Sequence, residues 1–334
     1  GAISYNKYDL CSEIDESKCI SCGACMAACP FGAIEDRSNI VKVVNELMGD
    51  KDVYAVVAPA ITGQINLNIK YGQVKNAIKK LGFKDMVEAA CGADAVTVNE
   101  SNEFLERMNR GDSYMTNSCC PAFVSYIEKI VPDQAERISG TVSPMVATGR
   151  YIKNREKDAR VVFIGPCTAK KNECLNDNLK DAVDYVLTFE EFFALLDAFE
   201  IDPAECDETV VDDGSILGRG FAIGGGLTSS IENYISEKGI EADFKPVKVS
   251  GGAEIKKTMI MAKAGKLNGN FIEGMMCQHC VAHVKKALEG AAAGCDVTVD
   301  LDAGKAVVSG KTLPEDAVLT AAVTEAGYKV VDIK

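Results

Sequence analysis

The sequence of 334 residues predicts an α/β protein in three parts, with mostly parallel sheets in the middle part. Three observations predict it. Cysteines crowd into residues 1–40, strand-like and helix-like segments alternate over 41–268, and 269–334 carries a strand–helix repeat of its own. Apolar residues make up 47% and charged residues 25%, a globular balance that argues against disordered, collagen-like and coiled-coil classes.

The first part reads as a [4Fe-4S] segment of ferredoxin type. Cys19-x-x-Cys22-x-x-Cys25-x-x-x-Cys29-Pro30 is the bacterial ferredoxin run, whose tight spacing turns three thiolates toward one cubane and backbone amides toward its sulfurs. In two-cluster ferredoxins the fourth cysteine of such a run serves the other cluster. No first run precedes this one, so Cys11 or Cys29 is left to complete the set on Cys19, Cys22 and Cys25, and Cys11 is equally readable as incidental. Gly1-Ala2-Ile3 repeats Gly32-Ala33-Ile34, the residues that follow Cys29-Pro30-Phe31, which suggests a start just after an earlier Cys-Pro segment. A cluster in this position serves one-electron transfer.

In the middle part, 52–60 (DVYAVVAPA) reads as a buried strand, 73–81 as a helix and 86–90 as the next strand. Residues 159–164 form a strand that ends at the Gly165-Pro166 turn, and 189–199 (FEEFFALLDAF) form an amphipathic helix. Alternation of this kind predicts βαβ units, whose ligands sit beyond the carboxyl ends of the strands. Cys167 stands just past one such end.

In the last part a loop with Cys277-Gln278-His279-Cys280 precedes a helix through Val284 and Leu288. Strands follow at 297–299 and 306–308 around Ala303-Gly304, then a helix at 314–326 and a strand at 328–333, which makes a βαββαβ ferredoxin-like sandwich. Two thiolates three residues apart suit linear Cu(I), a soft ion. His279 and His283 have i,i+4 spacing, a weaker zinc signal, because His279 lies in the loop between the cysteines.

Lys plus Arg is 36 against 49 Asp plus Glu, a net charge of -13, which disfavours nucleic acid and an anionic membrane surface as partners. No apolar run approaches the roughly 18 residues that span a bilayer. The opening Gly-Ala-Ile-Ser has no leader signature, and the expectation is a cytoplasmic protein. The 14 cysteines therefore point to metal rather than to a disulfide framework, which belongs to short secreted chains.

Three separated pieces carry the central chemistry: Thr116-Asn117-Ser118-Cys119-Cys120-Pro121, Gly165-Pro166-Cys167-Thr168-Ala169-Lys170-Lys171, and Phe271-Ile272-Glu273-Gly274-Met275-Met276-Cys277. Three distant cysteines converging on one cavity would suit an iron–sulfur centre, whereas each alone has the commoner reading of a buried apolar thiol. Cys91, Cys174, Cys206 and Cys295 read as core or surface thiols. Glu100 and Glu103 stand one helical turn apart, and Glu103 and Arg107 form an i,i+4 pair, the pattern of a solvated helix face or of a proton relay.

With these motifs in order, residues 1–277 resemble the iron-only ([FeFe]) hydrogenases. The resemblance implies a two-lobed α/β domain that reversibly combines protons and electrons into dihydrogen at a six-iron H-cluster with CO and cyanide ligands. By that resemblance Cys120, Cys167 and Cys277 hold the four-iron half of the cluster. Cys119 is the proton donor beside the diiron half. Glu100, Glu103, Arg107 and Ser139 form the proton path, and Lys170 contacts a cyanide ligand. Ala58-Pro59-Ala60 and Ser143-Pro144-Met145 line the diiron pocket. Ferredoxin or a similar electron carrier and the hydrogenase maturation proteins are the implied partners.

One position departs from the family. The third motif carries a bridging cysteine four residues after Cys277, and here that residue is Val281; Cys280 comes one residue early. A slip of one residue moves a sulfur by about 3.5 Å, more than the length of a metal–thiolate bond at about 2.3 Å. Residues 269–334 resemble heavy-metal-associated domains of copper-chaperone type, with Tyr328 where that family has a loop tyrosine near the metal. The two resemblances overlap at 271–277 and claim the same Cys277. Two functions follow as expectations: a hydrogenase, or a degenerate hydrogenase homologue that binds iron–sulfur clusters and, through Cys277 and Cys280, Cu(I).

Overall fold

The structure, a computed structural model, describes residues 1–66, 68–276, 288, 291–292, 294–300, 305–310, 313–325 and 333. An antiparallel hairpin of β1 (Ile3–Asn6) and β2 (Cys11–Ile14) leads into the one-turn helix α1 (Ala24–Ala28) and then α2 (Ile40–Leu47). The strands that follow are β3 (Val53–Val57), β4 (Asp85–Glu88), β5 (Tyr114–Thr116), β6 (Arg160–Gly165), β7 (Tyr185–Thr188), β8 (Lys245–Ser250) and β9 (Asn270–Met275). They form two parallel sheets, of order β4-β3-β6-β7 and β5-β9-β8. The helices between them are α3 (Tyr71–Lys80), α4 (Ala89–Asn109), α5 (Pro121–Ile130), α6 (Pro144–Arg155), α7 (Ala169–Cys174), α8 (Phe189–Ala198), α9 (Ile216–Arg219), α10 (Gly226–Glu237) and α11 (Gly252–Lys263). The α/β class and the parallel sheets are those expected from the alternation.

Strands buried on both faces need unbroken apolar runs, and β3 (VYAVV) and β6 (RVVFIG) supply them. Helix starts follow local chemistry. Pro121 and Pro144 open α5 and α6, where a missing N–H costs nothing. Thr188 and Glu191 close a capping box on α8.

Two sequence-based boundaries are corrected. The strand expected over 52–60 stops at Val57, because Pro59 has no N–H to continue the ladder, and Pro59–Gly63 turns into a 3-10 helix. The strand expected over 86–90 ends at Glu88, and Ala89 and Ala90, strong helix formers, begin α4.

Strand β9 lies beyond the boundary expected at 268, yet it is the central strand of the second sheet, with β5 on one edge and β8 on the other. Phe271 on this strand packs edge-on against Phe104 of α4 with ring centroids 5.9 Å apart. After it, β10 (Asp296–Asp300) and β11 (Lys305–Ser309) pair antiparallel, and a helix runs over Asp316–Glu325. These agree with the expected 297–299, 306–308 and 314–326 segments as far as they are described. Cys277, Cys280, His279, Val281, His283 and Tyr328 lie outside the described residues.

Candidate metal centre

The carboxyl ends of β5 and β6 deliver the two central cysteines. Cys120 is the residue before Pro121 at the start of α5, and Cys167 stands in the loop between β6 and α7. Both pack on one apolar cluster with Phe123, Ala169 and Met276. Burial pushes the Cys167 thiol up to about 11, and a charge on Cys120 would push it further, so the two sulfurs are electrostatic neighbours. Burial likewise raises Cys120, against backbone N–H groups that include that of Met276 at the end of β9. The chain thus reaches Cys120 one residue before Cys277. Desolvated thiols beside one another are poor places for free charge and good ligands for a cation that displaces their protons.

Lys170, at 9% exposure, points its Nζ at the Cys119 carbonyl (3.2 Å) and pairs with Glu173 (2.7 Å). This arrangement keeps an ion pair buried beside the Cys119 carbonyl. Burial also raises Cys119 well above the ordinary thiol range. Ala58, Ser143 and Met145 are all buried, and Pro59 opens the adjoining turn. Ser143 Oγ is buried without a hydrogen-bond partner among the described residues, an orphaned donor that a bound group with acceptor ligands would satisfy. The donor set fits an iron–sulfur cofactor.

The expected relay residues are brought together. Helix α4 places Glu100, fully buried, and Glu103 on one face. Ser118, next to Cys119, donates its N–H to Glu100 Oε1 (3.1 Å), and its hydroxyl oxygen lies 3.2 Å from the same carboxyl oxygen while it donates to the Thr141 carbonyl. Ser139 donates to Glu103 Oε2 (2.7 Å), and Arg107 pairs with Glu103 Oε1 (2.6 Å). Arg107 is itself held by the carbonyls of Glu136 (3.0 Å) and Ile138 (2.9 Å).

The two carboxyls are set apart electrostatically. Burial pushes Glu100 up to about 8, although the Ser118 N–H pulls it down. Burial also raises Glu103, but the Gly140 N–H, the Ser139 hydroxyl and Arg107 outweigh it and hold that carboxyl below its usual range. An inner acid that keeps its proton near neutrality and an outer carboxylate beside solvent can pass protons in either direction.

The amino-terminal run sits against this centre. Thr168, directly after Cys167, donates its hydroxyl to the Ser21 carbonyl (2.9 Å), and Ile20 and Cys22 pack on the cluster that includes Cys120 and Cys167. Left-handed conformations at Ser21 (φ 56) and Gly23 (φ 73) curl the loop. The N–H of Ala33 donates to Cys29 Sγ (3.4 Å), and this and other amides of the 31–34 turn hold the Cys29 thiol below its ordinary range. Cys19 and Cys25 are half-buried, whereas Cys11 is exposed in β2. Among the described residues no three His, Cys, Asp or Glu side chains converge at the spacing of a single metal ion; a cubane holds its sulfurs much wider apart.

Residues that were not singled out in the sequence also belong to the site. Asn117 and Ser118 bind Cys119 Sγ and Glu100 respectively, and buried Glu273 accepts N–H groups of Gly225 (2.9 Å) and Thr228 (2.8 Å) at the start of α10. Only their position inside two quoted motifs marked them.

Parallel sheets whose strand ends present half-buried thiols, with two carboxyls and their hydrogen-bond partners nearby, suit an iron–sulfur protein of the α/β class. The family model "Iron only hydrogenase large subunit, C-terminal domain" matches residues 51–282, and the chain belongs to that family. A 4Fe-4S binding domain matches 12–35, and a heavy-metal-associated domain matches 271–329. The chain is 29% identical to the NADP-reducing hydrogenase subunit HndD of Solidesulfovibrio fructosivorans, over 73% of this chain and 48% of that protein. It is 28% identical to iron hydrogenase 1 of Clostridium pasteurianum, over 78% of this chain and 58% of that one. It therefore spans about half the length of these relatives. It is also 24% identical to protein NAR1 of Arabidopsis thaliana, over 60% of this chain and 50% of that protein. The fold is similar to [FeFe]-hydrogenase HydA1 from Chlamydomonas reinhardtii, with a TM-score of 0.58 at 19% identity over 87% of this chain and 88% of that one. Among the described residues no helix is long and apolar enough to cross a membrane.

Proposed function

We propose that this protein is a hydrogenase-type iron–sulfur oxidoreductase that interconverts protons, electrons and dihydrogen. The observation that carries the reading is the relay from Ser118 beside Cys119, through Glu100, toward Ser139, Glu103 and Arg107, because a protein that only stores a cluster has no use for a buried proton path. Cys120, Cys167 and Cys277 would hold the four-iron half of the H-cluster, and Cys19, Cys22 and Cys25, with Cys29 or Cys11, the outer [4Fe-4S] cluster. The bound H-cluster supplies the redox chemistry on protons and dihydrogen.

The protein supplies the rest. Cys119 presents a thiol proton inside the cavity. Glu100, neutral below about pH 8, receives and returns protons from the Ser118 side. Glu103, ionised and tied to Arg107, exchanges them with water. Lys170 keeps positive charge where anionic ligands would lie. Apolar walls at Ala58, Pro59 and Met145, with the Ser143 hydroxyl, exclude bulk water. Electrons enter through the 19–29 loop, strapped to Cys167 by Thr168 and Ser21. A ferredoxin-like carrier outside, the hydrogenase maturation proteins as loading partners, and a cytoplasmic setting complete the proposal. Infrared spectroscopy of the matured protein tests it: bands of iron-bound CO and cyanide are expected, and their absence overturns it.

A second reading is favoured by Val281, by Cys280 standing one residue early, and by the NAR1 relatives, one of which is called a cytosolic Fe-S cluster assembly factor in Kluyveromyces lactis. In it the chain carries ordinary clusters and binds Cu(I) at Cys277 and Cys280. Stoichiometric Cu(I) binding lost on Cys280→Ser, without dihydrogen evolution, would establish it. Strand β9 sharpens the alternative. Both of its edges are occupied over Asn270–Ile272, and β8 holds one edge as far as Met275, so Phe271 and Ile272 cannot at the same time pair within a separate βαββαβ sheet.

A further inference from the structure

Asn117 is 1% exposed and makes three directional contacts. Its N–H donates to the Ile272 carbonyl (3.0 Å). Its Oδ1 accepts the Gly274 N–H (3.0 Å), and its Nδ2 donates to Cys119 Sγ (3.0 Å). The amide cannot be turned round, because the Gly274 N–H can only donate and must meet the oxygen. The NH2 group therefore faces the sulfur.

Gly274 itself has no room for a side chain. An added Cβ would stand 2.5 Å from the Phe123 ring, so β9 approaches the Cys119–Cys120 loop as closely as backbone allows. The Lys170 Nζ fixes the Cys119 carbonyl from the other side (3.2 Å).

We propose that Asn117 is the positioning residue of the Cys119 thiol, which it binds from one end of its carboxamide while the other end holds β9 through Gly274. A thiol has one hydrogen and a weak acceptor sulfur. With an N–H already directed into the sulfur, the S–H is turned away from Asn117. Only a carboxamide of this length makes both bonds. Aspartate keeps the acceptor for Gly274 and loses the donor, and leucine keeps the shape and loses both.

The inference deepens the proposed function and rests on that reading of the Cys119 loop, but it is carried by the hydrogen bonds of Asn117, and its test does not need turnover. The infrared S–H stretch of Cys119 in the full-length protein is assigned by its disappearance in Cys119→Ser, and is then followed in Asn117→Asp and Asn117→Leu with iron content measured alongside. The expected result is a displaced S–H band in both variants with iron retained. In matured protein, turnover should fall roughly tenfold or more, with a larger solvent isotope effect. An S–H band unmoved in both variants overturns the proposal, as does iron lost in step with turnover, which would make Asn117 a structural strap. Absence of CO and cyanide bands would refute the hydrogenase reading and leave the S–H result standing.

Discussion

The two sets of cysteines are held in opposite ways. Cys19, Cys22, Cys25 and Cys29 come from one short stretch, wrapped by left-handed turns at Ser21 and Gly23. Cys120 and Cys167 come from the ends of strands in two different sheets and share a packed apolar cluster with Phe123 and Met276. In the first set, local spacing brings the thiols near one another. In the second, the tertiary fold does, and thiol placement and protein stability become one problem. A cluster of the first kind tolerates the protein around it, whereas one of the second kind inherits every error in sheet packing.

The sharpest way to break this comparison is to remove one sulfur from each set. Cys167→Ser should abolish turnover and remove the central iron, and leave the outer cluster in place. Cys22→Ser should remove the outer cluster and slow electron entry, with the central iron retained. Iron analysis and electron paramagnetic resonance of the reduced proteins check both. Equal iron loss from the two variants would mean that the sets are not independent.

Next in size is the relay. Glu100→Gln keeps the shape of the inner carboxyl and removes its proton exchange, and turnover should fall by about 10²–10⁴-fold. Glu103→Gln should cost much less, since the Glu103 side chain is 22% exposed and water can replace it. Similar losses in both would mean that the inner and outer carboxyls do not differ as their surroundings imply.

Glu100 also gives a stability signature with a definite sign. Its carboxyl is raised by burial to about 8 from an ordinary value of 4.5. The folded state therefore keeps a proton that the unfolded chain has lost, and stability falls as pH rises from 4.5 to about 8. Below that window both states are protonated and the contribution is flat. Melting temperatures of wild type and Glu100→Gln across this range should converge at acid pH and diverge toward pH 8. A pH-independent difference would count against a buried, neutral Glu100.

How much of this was legible in the sequence follows from the same contrast. The amino-terminal cage is written in consecutive spacing, and the βαβ alternation and the position of Cys167 past a strand end followed from apolar runs and one Gly-Pro turn. The Glu100–Glu103 spacing was visible, but a solvated helix face has the same pattern. What excludes the solvated face is the burial of Glu100 and the bond to Glu103 from Ser139, 36 residues away and brought there by the return of the chain between α5 and α6. Asn117 and Glu273 were silent for a related reason. Their partners Gly274, Gly225 and Thr228 offer backbone N–H groups, which no residue type announces. Strand β9 looked like the first strand of the last part, because a short apolar run does not say which sheet will pair with it.

The smallest expected effect concerns the seam between the two sets. Thr168 donates its hydroxyl to the Ser21 carbonyl, and its Oγ1 lies 3.3 Å from where a Cβ on Gly23 would stand, so the outer loop rests directly on the residue after Cys167. Thr168→Val keeps the volume and removes the donor, at a cost of about 1 kcal/mol, the usual net worth of one hydrogen bond. Thermal stability should barely move. If this strap sets the distance between the clusters, the rate at which the central iron is reduced through the outer cluster should fall more than stability does. If rate and stability both stay at wild-type values, packing of Ile20 and Cys22 alone joins the locally held set to the one held by the fold.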